Sequence, residues 1–410
     1  MITIEEALSI ILAQIEPRKG EYFPLADCLG RVLAQDITAR DDIPPFANSA
    51  MDGFALRAGD TLGASPEQPV TLTVLEDLPA GRNTDTEVGP GQTIRIMTGA
   101  PLPSGADSVV KVEDSALAGD EGEEQVRIFH EAGKGEHVRL AGESVRSGEM
   151  VLKSGVILRP AEIGMLAALG YPRISIVPPP RVTILSTGDE LMDIEEELKA
   201  GKIRDCNRYS LAAMVKLYGG EPASLGIAPD RKDDLKKILS IALTTDLVIT
   251  SGGVSVGKYD LIREAIGELG GEILIDRVSM KPGKPLIFSL VGGVPVFSLP
   301  GNPVSVLVSL IQFVRPALLK MQGKNRLRKP VVEAILAEDC AERTDRTHLV
   351  RVKVEMKDGI NYVRLAGPQG SGILRSLVLS NGLMIIPPNR GPLKSGERVN
   401  VMLTEEAEIE

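Results

Sequence analysis

Ser251-Gly-Gly-Val-Ser-Val-Gly-Lys-Tyr-Asp260 gathers glycines, hydroxyls, a lysine and a carboxylate into one short stretch. It follows Asp246-Leu-Val-Ile-Thr250, an apolar run that reads as a buried strand running into a glycine-rich turn. Two more small-residue loops come soon after, Lys281-Pro-Gly-Lys-Pro285 and Leu299-Pro-Gly-Asn-Pro303, each behind another strand-like run. Three such loops on one edge of a parallel sheet would offer backbone N–H groups, hydroxyls, lysines and a carboxylate to a phosphorylated ligand.

Each loop has a chemical and a plain reading. Gly252 and Gly253 permit a close backbone approach, although a lone Gly-Gly turn says little. Lys281 and Lys284 could clamp a phosphate or an oxyanion as point charges, or belong to a solvated basic loop. Asn302-Pro303 sets a helix start at Gly301–Pro303, where N–H groups and the helix dipole attract anions; a well-capped helix is equally consistent. Carboxylates follow other strand-like runs: Glu190 in Ser186-Thr-Gly-Asp-Glu190, Asp230 after Gly226-Ile-Ala-Pro, and Asp260 in the opening stretch. Acidic oxygens beside a phosphate suit Mg²⁺. Taken alone, Asp230 reads as a helix cap.

The elements that position these loops alternate strand and helix. Val182–Leu185, Asp246–Thr250, Leu286–Ser289 and Val294–Leu299 read as strands; Tyr209–Leu217, Asp233–Leu243 and Pro303–Leu319 read as helices. This pattern predicts a doubly wound α/β domain over about 180–325, entered through the stiff Pro178-Pro-Pro180 linker. Before it, a capping box at Thr3 and Glu6 opens a helix whose Ile4, Leu8, Ile11, Leu12 and Ile15 share a face. Short alternating runs then predict mostly antiparallel β structure over about 21–180, with a helix from Pro160, and the acidic Glu113–Glu124 stretch reads as a solvated hairpin tip. Val331–Leu336, His348–Val354 and Val399–Leu403 predict a small β domain at the other end.

Several chemistries are disfavoured. His130, His137 and His348 have no HExxH or clustered spacing, and neither a P-loop nor a dinucleotide fingerprint occurs. Cys28, Cys206 and Cys340 are too scattered for a disulfide framework or a CxxC metal pair. A net charge of −10 and the absence of Trp argue against a nucleic-acid partner. No membrane-length apolar stretch or signal-peptide pattern is seen, so a cytoplasmic protein is expected.

Five motifs, SGGVSVGKYD, KPGKP, LPGNPVS, STGDEL and PPFANSAMDGFALR, together resemble the molybdopterin molybdenumtransferases, a family that includes the E domain of gephyrin. The resemblance runs over nearly the whole chain and includes Gly367-Pro-Gln-Gly-Ser-Gly372. It implies an elongated α/β multidomain protein divided as 1–45 with 140–178, an inserted β domain at 46–139, a central doubly wound molybdopterin-binding domain at 179–327 and a β domain at 328–410. It also implies a homodimer that inserts molybdate into adenylylated molybdopterin with Mg²⁺-dependent release of AMP, with an adenylyltransferase as functional partner.

Residue by residue, the resemblance assigns Lys281, Lys284, Arg346 and Ser371 to molybdate or the pterin phosphate, and Gly252, Gly253, Ser255, Gly301, Asn302 and Ser305 to substrate. Glu190, Asp230 and Asp260 would hold Mg²⁺ and act on the departing AMP. Asp52 and Thr98 would complete the cleft from the partner subunit; without the resemblance, Asp52-Gly53 reads as an ordinary turn and Thr98 as a loop residue. Ser144 stands where family members often carry an acid, and Asp345 precedes Arg346 where Gly is frequent. The rival readings are a molybdopterin adenylyltransferase, whose fold resembles only the central domain, and a gephyrin-like scaffold.

Overall fold

The computed structural model describes residues 1–119, 124–253, 261–343 and 345–404. Met1–Glu21 and Val177–Glu410 form one compact unit, and Tyr22–Ile176 a second.

The first unit is organised around a six-stranded sheet. Its strands are β1 (Arg181–Thr187), β2 (Glu221–Ala228), β3 (Leu247–Ser251), β4 (Glu272–Arg277), β5 (Pro285–Val291) and β6 (Val294–Leu299), in the order β2-β1-β3-β6-β5-β4. The first four in that order are mutually parallel, and β5 is antiparallel to both its neighbours. β3 is buried along its whole length, which is why its sequence is a continuous apolar run rather than an alternating one.

Helices cover both faces. Helix α1 (Ile4–Ala13) begins at a complete capping box, with Thr3 N–H donating to Glu6 Oε2 at 2.8 Å and Glu6 N–H to Thr3 Oγ1 at 3.1 Å. Its face of Ile4, Leu8 and Ile11 shares a core with α2 (Cys206–Leu217) and with Phe297 and Phe313, so the helix packs in the same unit as the α/β sheet. On the other face, α3 (Lys232–Ala242) and α4 (Leu261–Glu268) bury Leu235, Leu239, Ile262 and Ile266 against Leu185 and Val248. The closing helix α5 (Pro303–Met321) contains a π turn at Leu310–Val314, just before Pro316 removes a backbone donor. Among the described residues it alone is long and apolar enough to cross a membrane, and 89% of that window is buried in the protein. Neither α4 nor β4 stands out in the sequence, because the short apolar content of each is interleaved with charge.

Five further strands close on themselves: β7 (Val331–Leu336), β8 (Thr347–Lys357), β9 (Ile360–Leu365), β10 (Gly382–Ile386) and β11 (Arg398–Leu403). β9 and β10 add to the three strands read from sequence. The short strand Met280–Lys281 joins β8 in parallel and sets Lys281 opposite His348, tying this barrel to the KPGKP loop.

In the second unit, a six-stranded sheet is antiparallel except where Val70–Leu78 pairs with Gln92–Ile96. Ser115–Ala118 and Gln125–Ile128 pair antiparallel; residues 120–123 of the acidic stretch expected as a hairpin tip lie outside the described residues. Gly53 is not a turn residue: it starts the strand Gly53–Leu56, where a Cβ would lie 2.0 Å from the Val110 carbonyl oxygen. A separate core gathers Leu33, Leu158, Leu166, Ile174 and Ile176 around helix Pro160–Ala168.

Candidate functional site

The chain passes from β1 outward to β2, then returns across β1 to β3, so the strand order reverses between β1 and β3. The carboxyl ends there are level: Ser186 pairs with Ser251, and Ser251 with Leu299. Crevices at such reversals are where ligands enter open α/β sheets. A cavity of about 280 Å³ lies here, lined by Thr187, Glu190, Asn207, Ser251, Gly301 and Asn302 among others.

The glycines of the opening motif have a definite geometric role. Gly252 takes φ +96°, and a Cβ on it would stand 2.2 Å from the Thr187 carbonyl oxygen. The approach is therefore to the protein's own β1 end, which brings two loop mouths together. Gly252 N–H donates to Leu299 O at 3.1 Å. Asn207, which sequence analysis missed, reaches from α2 and donates to Ser251 Oγ at 2.9 Å and to Gly301 O at 2.7 Å. It is 8% exposed and fixes the mouths of β3 and β6 relative to each other. Thr187 Oγ1 is buried beside this cavity with no hydrogen-bond partner among the described residues.

Two carboxylate loops meet at the rim. Asp230 N–H donates to Asp189 Oδ1 at 3.2 Å, and Asp189 N–H lies 3.4 Å from Asp230 Oδ2. Asp230 is not a helix cap, since α3 starts behind Arg231 without a side-chain cap. Its carboxyl is pushed up by loss of solvation; the Asp189 backbone donor opposes this, and the negative charges of Asp189 and Glu190 add to it. The Glu190 carboxylate lies against the backbone of Gly188. Among the described residues, no set of three His, Cys, Asp or Glu side chains forms a metal-ligand cluster. Crowded, partly desolvated carboxylates fit Mg²⁺, which takes one or two carboxylates and completes its shell with water and phosphate oxygens.

The lysine loop sits on the same edge, between the end of β4 and the start of β5. Val278 N–H donates to Lys284 O at 3.1 Å and closes the turn. Gly283 packs on α5, where a Cβ would meet Ser309 Oγ at 2.7 Å. Lys281 Nζ is 2.9 Å from Glu342 Oε2, and His348 Nδ1 is 3.4 Å from the same oxygen. Arg346 pairs with Asp345 Oδ1 at 3.0 Å. Buried Arg351 on β8 donates to Ser376 Oγ and to Gly370 O, each at 3.1 Å, and so holds the loop that carries Ser371. Ser371 O in turn accepts from Val304 N–H at 3.1 Å. That bond joins the barrel loop to the first turn of α5, whose preceding residues line the cavity. Asn302 occupies the N-cap position without a side-chain capping bond, and Ser305 is buried in the first turn.

In the second unit, Asp52 and Thr98 meet directly, at 2.7 Å through both the backbone and the hydroxyl of Thr98. Ser255 and Asp260 lie outside the described residues. Glu342, His348, Arg351 and Asp189 were not picked out by sequence; Asp189, beside Glu190 in STGDEL, was the one with a local signal.

Comparison with known proteins covers almost the whole chain. Residues 2–170 match the family model of the MoeA N-terminal region (domain I and II), 183–320 that of a probable molybdopterin binding domain, and 333–404 that of the MoeA C-terminal region (domain IV). Molybdopterin molybdenumtransferase 2 of Mycobacterium tuberculosis is 37% identical over 409 residues, covering 98% of this chain and 99% of the relative. Molybdopterin molybdenumtransferase of Staphylococcus aureus is 33% identical, covering 98% and 96%. A crystal structure of the molybdopterin biosynthesis MoeA protein from Pyrococcus horikoshii aligns with a TM-score of 0.79 at 34% identity, covering 98% of this chain and all of that one.

Proposed function

The chain belongs to the molybdopterin molybdenumtransferase family, and we propose that it places molybdenum from molybdate onto molybdopterin, taking the adenylylated form and releasing AMP. The observation that carries this reading is the Val304 N–H···O=C Ser371 bond, because it sets an oxyanion-type loop beside a phosphate-type cavity. Along α5, Val304 and Ser309 are about 8 Å apart at 1.5 Å per residue. The cavity mouth at the start of α5 and the lysine loop against Ser309 are thus set along one helix.

In this reading the cavity mouth at Gly252, Gly253, Gly301, Asn302 and Ser305 receives the phosphate, with Ser255 from the same motif. Lys281, Lys284, Arg346 and Ser371 receive molybdate, an oxyanion suited to charged donors. Glu190 and Asp230, with Asp260 from the sequence motif, would hold Mg²⁺, which supplies charge neutralisation at the phosphoanhydride. Asp189 orients Asp230 through the paired backbone bonds, and Asn207 keeps the two loop mouths in register. Asp52 and Thr98 serve the cleft of a partner subunit in a homodimer. The free thiols Cys28, Cys206 and Cys340 suit a reducing cytoplasm.

The test is direct. Purified protein given adenylylated molybdopterin, Mg²⁺ and molybdate is expected to release AMP only when molybdate is present. Synthesis of the adenylylated pterin from ATP would instead establish the adenylyltransferase reading, and binding without turnover would establish a scaffold.

A further inference from the structure

Lys281, the lysine assigned above to molybdate, already faces an anion. Its Nζ is 2.9 Å from Glu342 Oε2, and Glu342 is half-buried. The backbone that carries Glu342 is held in place. Its backbone carbonyl is packed so tightly on Gly391 that a Cβ there would lie 2.4 Å away. Cys340, two residues before Glu342, and Leu393, two residues after Gly391, exchange reciprocal backbone bonds of 2.9 Å. Behind it stands His348, fully buried, with Nδ1 3.4 Å from the same Glu342 oxygen.

Lys281 and His348 approach Glu342 Oε2, and Arg351 and Arg346 add positive charge near His348. Burial, and then the charge of Lys281, push His348 down to about 4, so it is neutral at physiological pH. Arg351 directs donors to Ser376 and Gly370. Arg346 pairs with Asp345. Lys281 meets the Glu342 carboxylate at hydrogen-bonding distance.

We propose that Glu342 is a built-in competing anion that tempers the oxyanion affinity of the Lys281 site. An arriving oxyanion must share or displace Lys281 from Glu342 and meets the repulsion of a fixed negative charge. Abundant inorganic anions then do not fill the site between turnovers, and molybdate is not held so tightly that its transfer is impeded. This rests on the reading of Lys281 as an oxyanion ligand.

The experiment measures binding of inorganic molybdate, sulfate and perrhenate to the full chain by calorimetry. Glu342→Gln is expected to tighten the dianions molybdate and sulfate roughly tenfold and the monoanion perrhenate about threefold, because Coulomb energy scales with ligand charge. Sulfate inhibition of AMP release tightens in parallel, and Glu342→Asp, which keeps the charge, behaves as wild type. If Glu342 merely orients Lys281, the glutamine variant binds molybdate equally or more weakly, and the proposal is overturned. Glu342→Ala gives the same readout should the glutamine variant fold poorly. Lys281→Met separates the two readings. If it binds molybdate as wild type does, the assignment of Lys281 fails. If it loses binding while Glu342→Gln gains none, the role of Glu342 alone fails.

Discussion

Thr98 donates both its backbone N–H and its hydroxyl to the same Oδ1 of Asp52, each at 2.7 Å, across forty-six positions of sequence. The two bonds stabilise the ionised carboxylate, the backbone donor most, and hold its pKa below the usual value. A depressed carboxylate contributes stability at neutral pH that fades as pH falls through the acid range. Thr98→Val keeps the backbone donor and removes the hydroxyl. The Asp52 midpoint, followed by carboxyl NMR, is expected to rise part of the way towards its ordinary value, and AMP release to fall. A midpoint that does not move would remove the hydroxyl from the account.

Gly252→Ala tests the close approach of β3 to β1. Backbone strain alone is expected to cost roughly 1–3 kcal/mol, and the added Cβ would sit 2.2 Å from Thr187 O. Gly267→Ala, where nothing lies within 4 Å of the new Cβ, is the control. Because Gly267 lies within α4, the alanine there should raise stability, by roughly 0.5–1 kcal/mol. Thermal unfolding of both variants decides; equal melting temperatures would contradict the tight β1–β3 junction.

The contrast between these positions shows what was legible in sequence. Strand–helix alternation sufficed to place the doubly wound sheet and the loops at the carboxyl ends of its strands, because apolar periodicity is local. Asp52 and Thr98 came only from motif resemblance; their hydrogen bonds span separate strands, and Asp-Gly looks like any turn. Asn207, Glu342 and Arg351 gave no signal at all. Their importance comes from burial and from partners distant in sequence, and a polar residue inside a helix or loop is the commonest bland feature of any chain. Asp230 taken alone reads as a cap because it stands just before a helix, and only its pairing with the Asp189 loop distinguishes it.

Asp230→Asn is expected to separate stability from function. The carboxyl pKa is raised in the folded protein, chiefly by desolvation. A raised carboxylate favours the folded state at low pH, and that advantage is lost as pH rises through the folded value. At neutral pH, neutralising Asp230 should therefore leave stability unchanged or slightly higher while AMP release collapses and the Mg²⁺ requirement rises. A variant with normal turnover at low Mg²⁺ would take Asp230 out of the metal site.

His348 gives a pH signature in the opposite sense. It is fully buried, and burial holds it at about 4, below the ordinary histidine value of 6.5. Stability is then fully present above the unfolded value and is lost as pH falls from about 6.5 towards 4, with a slope of up to about 1.4 kcal/mol per pH unit. His348→Gln should flatten that slope in denaturation series run between neutral and acid pH. The wild-type imidazole C2–H should not titrate near neutrality; a midpoint at the ordinary histidine value would refute the buried, neutral assignment.

Asn207 allows the sharpest test of how the cavity is held. Its amide Nδ2 serves two acceptors at once, Ser251 Oγ at 2.9 Å and Gly301 O at 2.7 Å. Asn207→Ala leaves those groups without their donor at a buried site, a cost of about 1–3 kcal/mol. Asn207→Asp is expected to be worse although it is nearly isosteric. The carboxylate cannot donate to the Gly301 carbonyl, and it adds a negative charge to a cavity assigned to phosphate. If Asn207 only fills space, the aspartate variant should be the milder of the two. If it ties the β3 and β6 mouths together, AMP affinity should fall in both and most in aspartate, with the loss easing at low pH as that carboxyl protonates and regains a donor. Equal AMP affinity in wild type and both variants would place the phosphate elsewhere.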